Sequence, residues 1–318
     1  MTAKKSSGSK TKVENSEKSL EAAKVSDAEP TILDKNPIRS MMFKDVLLQE
    51  IVDGLKAEQV PKEDMEEVLF LTVTNAVLEQ VGMNLSEELL LVFQENLDDY
   101  LAISMINREH NIDILSLFRD QFLEAQGDSF DDERALMEAL TAFEDEWWGT
   151  PKDFLGGSSP NDLMDQAKDQ LAGDSDEEEH EHEHEHECEC EDCGDSHYWA
   201  ARSYAIRDMW LETIIESVTK ESMPTPQRRE RLFISLTNAL LDLVVNVMPD
   251  FMTEDLFVGL DQALAMALVD KESKVELMQI FQDALAKFEE EWWGTELKEL
   301  GGKSPDEAVE SMARKYGL

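Results

Sequence analysis

Seven candidate metal ligands lie within 14 residues of an acidic stretch of the sequence, EEEHEHEHEHECECEDCGD at 177–195. Imidazole nitrogen suits zinc, nickel and copper, and thiolate sulfur suits softer ions. In an extended chain, residues two apart project from the same side, and a Cys-x-x-Cys pair has the spacing of half a zinc knuckle. The sequence therefore predicts a site for zinc, nickel or copper, with these ligands and one histidine just beyond them: His180, His182, His184, His186, Cys188, Cys190, Cys193 and His197.

Catalysis by this stretch is not expected, although the zinc-protease pattern His-Glu-x-x-His occurs in it twice. That chemistry needs a packed helix, a third ligand and a dry cleft, whereas here the pattern arises because Glu and His alternate. A calcium EF-hand loop fails because Glu179 occupies the position where the sharp turn needs glycine. No phosphate loop, dinucleotide fingerprint or nucleophile elbow occurs elsewhere, so the sequence predicts that the protein is not an enzyme.

Two other interpretations of the acidic stretch stay open. It could act only as a self-repelling spacer, or it could chelate metal incidentally, as a histidine tag does. Neither interpretation explains why so many soft and borderline ligands cluster there. Since a flexible site loses chain entropy when it is loaded, metal exchange or buffering suits it better than a rigid structural role.

The charge of the chain restricts its partners. The formal net charge is −42, and residues 174–195 alone carry 13 acidic and no basic side chains. Such a field repels nucleic acid and anionic membranes and attracts cations or basic protein surfaces. No apolar run is long enough for a transmembrane helix and no secretory signal is visible at the start. With three clustered cysteines and no disulfide framework, we expect a cytoplasmic protein.

An internal repeat organises the chain. Residues 143–157 read FEDEWWGTPKDFLGG and residues 288–302 read FEEEWWGTELKELGG. Upstream, LFLTVTNAVL at 69–78 matches LFISLTNALL at 232–241. The first match is offset by 145 residues and the second by 163, so the first copy carries 18 more residues between them. Repeats this far apart indicate two homologous domains and not a solenoid of short units.

Both copies have helical patterns. A third and weaker match, SEELLLVF at 86–93 against TEDLFVGL at 253–260, places Ser86 and Thr253 where helix N-caps stand. Ser304 with Pro305 and Glu307 predicts a capped final helix, and the first copy repeats this pattern at Ser159. An apolar stripe at helical spacing is formed by Leu277, Ile280, Phe281, Ala284, Leu285 and Phe288.

The predicted fold is all-α, with two homologous bundles of about five helices each, joined by the acidic His/Cys-rich linker. No alternating strand pattern is present. The boundaries are a disordered tail at 1–37, helical domain 1 at 38–172, the linker at 173–197 and helical domain 2 at 198–318.

The paired tryptophans Trp147–Trp148 and Trp292–Trp293 are candidates for packing or for binding. Adjacent helical residues point about 100° apart, so one ring of each pair is expected to complete the core. The second ring could cover the Gly-Gly turn or anchor a partner. Packing is favoured because large aromatic rings are usually buried, and Trp148 and Trp293 are the partner-binding hypothesis.

Together these features predict a metal-binding accessory protein that captures, buffers or delivers a transition metal through the linker, while its helical domains contact other proteins. The alternative is an acidic helical adaptor or assembly factor that binds a basic protein partner, with the linker only a spacer. Neither nucleic acid nor membrane is an expected partner, and the oligomeric state is left open.

Overall fold

The computed structural model describes residues 30–127, 129–130, 132–172, 192–219, 224–275, 277, 280 and 292–318, with the backbone alone over 192–197. These residues are helical and contain no strand apart from an isolated bridge between Leu297 and Lys303, which confirms the all-α prediction. The helices are α1 (Ile32–Ala57), α2 (Met65–Met83), α3 (Glu87–His110), α4 (Ile114–Gln126), α5 (Glu133–Gly149), α6 (Pro160–Ala172), α7 (Asp192–Thr219), α8 (Thr225–Val247), α9 (Asp250–Ser273) and α10 (Pro305–Tyr316), with 3-10 turns at Asp153–Leu155 and Lys298–Leu300.

Helix α1 begins inside the segment that the sequence assigned to the tail. Thr31 accepts a hydrogen bond from the Asp34 amide, and the Asp34 carboxylate accepts one from the Thr31 amide, so a capping box starts the helix at Ile32. The predicted tail boundary at residue 37 is therefore too late. Asn36 is buried, and the contacts that bury it come from the far end of the chain, where local composition gives no sign of them.

Helix α7 likewise begins at Asp192, within the predicted linker of residues 173–197. The caps of the two short helices agree with their prediction. Ser304 caps α10 in a capping box with Glu307, and Ser159 exchanges the same hydrogen bonds with Asp162 at the start of α6. Both helices begin with proline, as expected for a first helical position.

The two predicted domains do not enclose separate cores. One cluster of buried apolar side chains includes Phe43 of α1, Phe70 of α2, Phe93 of α3, Phe233 of α8 and Phe257 of α9. A smaller cluster, around Trp147, belongs to α3, α4, α5 and the turn after α5. Helices from both halves of the chain therefore bury their apolar faces against one another.

The first helix of each half packs on the other half. Helix α1 packs mainly against α8 and α9, whereas α7 packs against α2, α3 and α6. Helices α2 and α8, which follow them, also contact each other. The contacts thus group α2–α7 as one continuous unit of the chain, and α1 with α8–α10 as the other.

The exchanged contacts recur at a constant spacing of 163 residues. Arg39 of α1 binds Asp261 of α9, and Arg202 of α7 binds Asp98 of α3. Lys44 lies 3.4 Å from Glu230, and Arg207 lies 2.9 Å from Glu67. Each pair in the second set is displaced from its counterpart by 163 positions, with the donor and acceptor halves reversed.

The same spacing corrects the third sequence match, which had an offset of 167 residues. Asn111 and Lys274 both end their helices in the left-handed region, with φ of 51° and 56°. The side chains of Asn107 and Asp270 then accept hydrogen bonds from the amides seven residues further on. A shift of four residues is close to one helical turn and preserves the apolar stripe, so similarity of letters did not separate the two registers. Thr253 is consequently not an N-cap, because α9 begins at Asp250.

The turns that follow the tryptophan pairs have the same geometry. Gly156 and Gly157 have φ of 67° and 92°, and Gly301 and Gly302 have φ of 68° and 82°. Glycine suits these positions because left-handed backbone is strained for other residues. The Gly157 amide donates to the Lys152 carbonyl, and the Gly302 amide donates to the carbonyl of Leu297. Each turn directs the chain from the tryptophan helix into a short capped helix, α6 or α10.

No helix in the described part of the chain is long and apolar enough to cross a membrane.

Candidate functional site

Most of the predicted metal ligands lie outside the described residues. These are His180, His182, His184, His186, Cys188 and Cys190. Cys193 and His197 fall within the first two turns of α7, where only the backbone is described. Among the side chains that the structure does describe, no group of three or more His, Cys, Asp or Glu residues is placed to hold a metal ion. The metal site therefore stays a prediction.

The helices on either side of the predicted metal-binding segment contact each other. Helix α6 ends at Ala172 and α7 begins at Asp192, and both pack against α3. Arg202 of α7 donates from Nη1 to the carbonyl oxygen of Leu171, at 2.7 Å. The segment thus joins two helices of one packed unit, whereas the sequence had placed it between two separate bundles.

Each tryptophan pair divides as predicted into one buried and one partly exposed ring. Trp147 is 3% exposed and Trp292 is 7% exposed, whereas Trp148 and Trp293 are half-buried. The rings of each pair meet edge to face, with centroids 5.4 Å apart in the first pair and 5.1 Å apart in the second. The partner-binding hypothesis for Trp148 and Trp293 is therefore still open.

The buried ring of the first pair is fixed by both polar and aromatic contacts. Trp147 donates from its indole N–H to Gln121 Oε1 at 2.7 Å, and its ring meets Phe118 of α4 edge to face at 5.2 Å. Lys152 Nζ lies 4.7 Å from the Trp147 ring centroid, and burial lowers the pKa of this lysine. These contacts hold α5 against α4 and fix the orientation of the neighbouring Trp148.

Trp148 lines an open groove of about 480 Å³ between α3, α5 and α6. Helix α3 contributes Asp99 and Ile103, and α6 contributes Met164, Asp165 and Lys168. The groove, which we call the Trp148 groove, is lined by Asp99, Ile103, Glu144, Asp145, Trp148, Asn161, Met164, Asp165 and Lys168. Its apolar surface is thus bordered by four carboxylates and one ammonium group.

The one lysine of the groove wall is already neutralised. Lys168 is paired with Asp99, and this hydrogen bond, reinforced by the nearby charges of Asp99, Glu95 and Asp98, raises the pKa of Lys168. The carboxylates of Glu144, Asp145 and Asp165 have no ion-pair partner among the described salt bridges. The Trp148 groove consequently presents a surplus of negative charge beside an indole face.

This arrangement is suited to a long cationic side chain. An indole face attracts ammonium and guanidinium groups, and the stems of lysine and arginine pack well on apolar surface such as Ile103 and Met164. Sequence reasoning named Trp148 but missed Asp99, Asp145 and Asp165, because with 71 acidic residues in the chain no single carboxylate is distinguished. Only the packing of α3, α5 and α6 brings these residues together.

A comparable groove cannot be outlined at Trp293. Residues 281–291 lie outside the described residues, and two positions on the described helices already differ. At the spacings that relate the two halves, Gln262 stands where α3 has Asp99, and Ala313 stands where α6 has Lys168.

One family model matches the chain, over residues 30–172, 197–287 and 279–318. The chain belongs to this family, which is described as a family of unknown function (DUF8423). The same model thus matches both halves of the sequence. No curated protein and no solved structure matches the chain.

Proposed function

We propose that the protein is a non-enzymatic, cytoplasmic metal-binding accessory protein, which captures zinc, nickel or copper through residues 180–197 and contacts other proteins through its helical body. The observation that carries the proposal is the density of ligands, with four histidines and three cysteines at 180–193. The surrounding glutamates raise the local cation concentration and offset the charge of a bound ion. A segment of this kind suits capture and release of metal better than permanent storage.

The helical body supports this proposal through the position of the segment. Since α6 and α7 contact each other and α3, the ends of the segment belong to one packed unit. Metal bound between them would add a further link between neighbouring helices. Loading is therefore expected to stabilise the body by ligand linkage and not to move two separate domains relative to each other.

The decisive experiment measures the metal content of untagged protein produced in the cytoplasm. The control is the same chain with all His and Cys at 180–193 changed to Gln and Ser, which preserves the acidic residues and the length. We expect stoichiometric zinc, nickel or copper in the parent protein and none in the control, as measured by elemental analysis after extensive dialysis. Binding no tighter than that of a free peptide of residues 174–197 would contradict the proposal.

The second candidate function is an acidic adaptor or assembly factor that binds a basic protein partner. The observation that favours it is the Trp148 groove, where an exposed ring edge is combined with unpaired carboxylates. In this function the acidic segment would be a spacer only. Capture of a defined basic partner that survives the change of all seven ligands, together with loss of metal and no other defect, would favour the adaptor over the metal-binding function.

We also infer that the two halves derive from duplication of one helical unit. The repeated motifs, the recurrence of contacts at a spacing of 163 residues and the match of one family model to both halves support this inference. A chain with a single unit would need a second copy to supply the exchanged first helix. The two halves would then correspond to the two subunits of an intertwined dimer.

A further inference from the structure

We propose that the Trp148 groove is the docking site for an arginine side chain of a basic partner protein. This inference rests on the protein-contact part of the proposed function and is independent of metal binding. It specifies both the surface and the chemistry of its occupant. The argument depends on charge, on shape and on a cation that the groove already holds.

The charge of the groove selects a cation. Glu144 and Asp145 of α5 and Asp165 of α6 line it without an ion-pair partner among the described salt bridges. They come from two helices that contact each other, so their carboxylates can converge on one ligand. A guanidinium group presents five N–H donors in a planar fork and can bind two carboxylates at once.

The apolar lining selects a side chain over a free metal ion. Ile103, Met164 and the half-buried Trp148 ring contribute apolar surface to a cavity of about 480 Å³. An aliphatic stem can cover Ile103 and Met164 while its charged end reaches the carboxylates. Guanidinium also stacks on an indole face, which a hydrated divalent ion does not do.

An internal cation provides the independent observation. Lys168 belongs to the groove wall and pairs there with Asp99. The protein thus already satisfies one carboxylate of the groove with an alkylammonium side chain. The other three carboxylates are left for a second cation, which the chain itself does not supply from the described residues.

The test uses the full-length protein and two fluorescein-labelled peptides of nine residues, in which arginine alternates with alanine or glycine. In the second peptide each arginine is replaced by citrulline, which keeps the shape and removes the charge. Fluorescence anisotropy at physiological salt measures binding. We expect the citrulline peptide to bind at least about tenfold more weakly, because a neutral side chain gains neither ion pairs nor cation–π attraction.

Protein variants separate groove binding from general attraction to an acidic protein. Trp148→Ala and the double variant Asp145→Asn/Asp165→Asn should each weaken binding of the arginine peptide about tenfold. Trp148→Phe keeps an aromatic face and should stay within about threefold of the parent. The charge-matched control Glu254→Gln/Asp255→Asn, on the exposed face of α9, should change binding less than about twofold, since exposed charges are screened beyond a Debye length.

Three results would overturn the proposal. They are equal weakening by the groove variant and the α9 control, equal binding of the two peptides, and absence of binding to the parent protein. Circular dichroism and the thermal midpoint of each variant verify that it is folded, and the two carboxamide variants remain informative if Trp148→Ala is not. Metal content is measured on the same samples. Lost peptide binding with metal retained would refute only this inference, whereas peptide binding without metal would refute only the metal-binding function.

Discussion

Helices α1 and α7 do the same structural work in opposite halves of the molecule, but they do so with different partners. Arg39 of α1 is 2% exposed and binds both carboxylate oxygens of Asp261, at 2.5 and 2.9 Å. Arg202 of α7 is 5% exposed and binds both oxygens of Asp98, at 2.9 and 2.6 Å. Each arginine thereby fixes an exchanged helix to the α3-type helix of the other half.

The remaining donors of the two arginines show where the halves differ. Arg39 donates to the Ile32 carbonyl and to Asn36 within its own helix. Arg202 donates instead to the Leu171 carbonyl at the end of α6, and its guanidinium lies 3.5 Å from the Tyr198 ring centroid. The arginine of α7 therefore links three helices, and the arginine of α1 links two. The difference indicates that the end of the first unit is held more firmly than the start of the second.

The largest expected effect comes from cutting these links. Arg39→Ala and Arg202→Ala should each lower the free energy of unfolding by about 3–5 kcal/mol, because each leaves a carboxylate without its partner in a largely buried site. Since both halves share a core, both variants should shift one cooperative transition. Urea denaturation followed by tryptophan fluorescence and by circular dichroism measures this.

Separate domains would behave differently. Two resolved transitions, each sensitive to only one of the variants, would show that the halves fold independently and that the exchange of α1 and α7 is not required for stability. The exposed pair Arg134–Glu138 of α5 supplies the control, because Arg134→Ala should change stability by less than about 1 kcal/mol.

A smaller effect is expected where the two halves pack differently. Gly82 of α2 lies against Trp199 of α7, and a Cβ built on Gly82 would come within 2.9 Å of the Trp199 ring. The residues 163 positions away are Val245 and Asn36, so the second contact has a larger side chain on one helix and a smaller one on the other. Gly82→Ala should therefore destabilise the protein by about 1–3 kcal/mol through overpacking.

Gly54 provides the matched control for this variant. It lies in α1 and is exposed, and an added Cβ would meet no atom within 4 Å. Gly54→Ala should stabilise the protein by about 0.4–1 kcal/mol by reducing the entropy of the unfolded chain. If both substitutions stabilise in thermal denaturation, the close contact between α2 and α7 is not rigid.

The smallest effects concern the caps of α6 and α10, which correspond to each other. Ser159→Ala and Ser304→Ala should each cost about 1 kcal/mol at neutral pH, the usual value of an N-cap serine. Hydrogen bonds from Ser159 lower the pKa of Asp162 below its usual value of 3.8. A carboxyl group with a lowered pKa stabilises the folded state above its unfolded pKa, and this contribution disappears as the pH falls through the folded pKa.

The difference in stability between the parent and Ser159→Ala should consequently narrow as the pH is lowered below about 3.8. Thermal midpoints of both proteins between pH 7 and pH 3 measure the difference. A constant difference over this range would show that the Asp162 carboxylate does not take part in the cap.

Local features of the fold were predictable from sequence, and long-range ones were not. The all-α class, the Ser-Pro caps and the division of each tryptophan pair follow from short-range rules of helix geometry and capping. The start of α1, the register of α3 against α9 and the shared core depend on residues more than a hundred positions apart. Of the Trp148 groove, the sequence indicated only the tryptophan, because its carboxylates come from three helices.

The sequence by itself determined that both halves are helical, that they carry the same tryptophan turn and that metal ligands are concentrated between α6 and α7. Only the tertiary structure decided which helices belong together. Repeated sequences offer equivalent surfaces to an amphipathic helix, so α1 could pack on either half by local pattern alone. Its place on α8 and α9 is decided by the contacts of Arg39 and by the side chains that fill the space beside Gly82 and Val245.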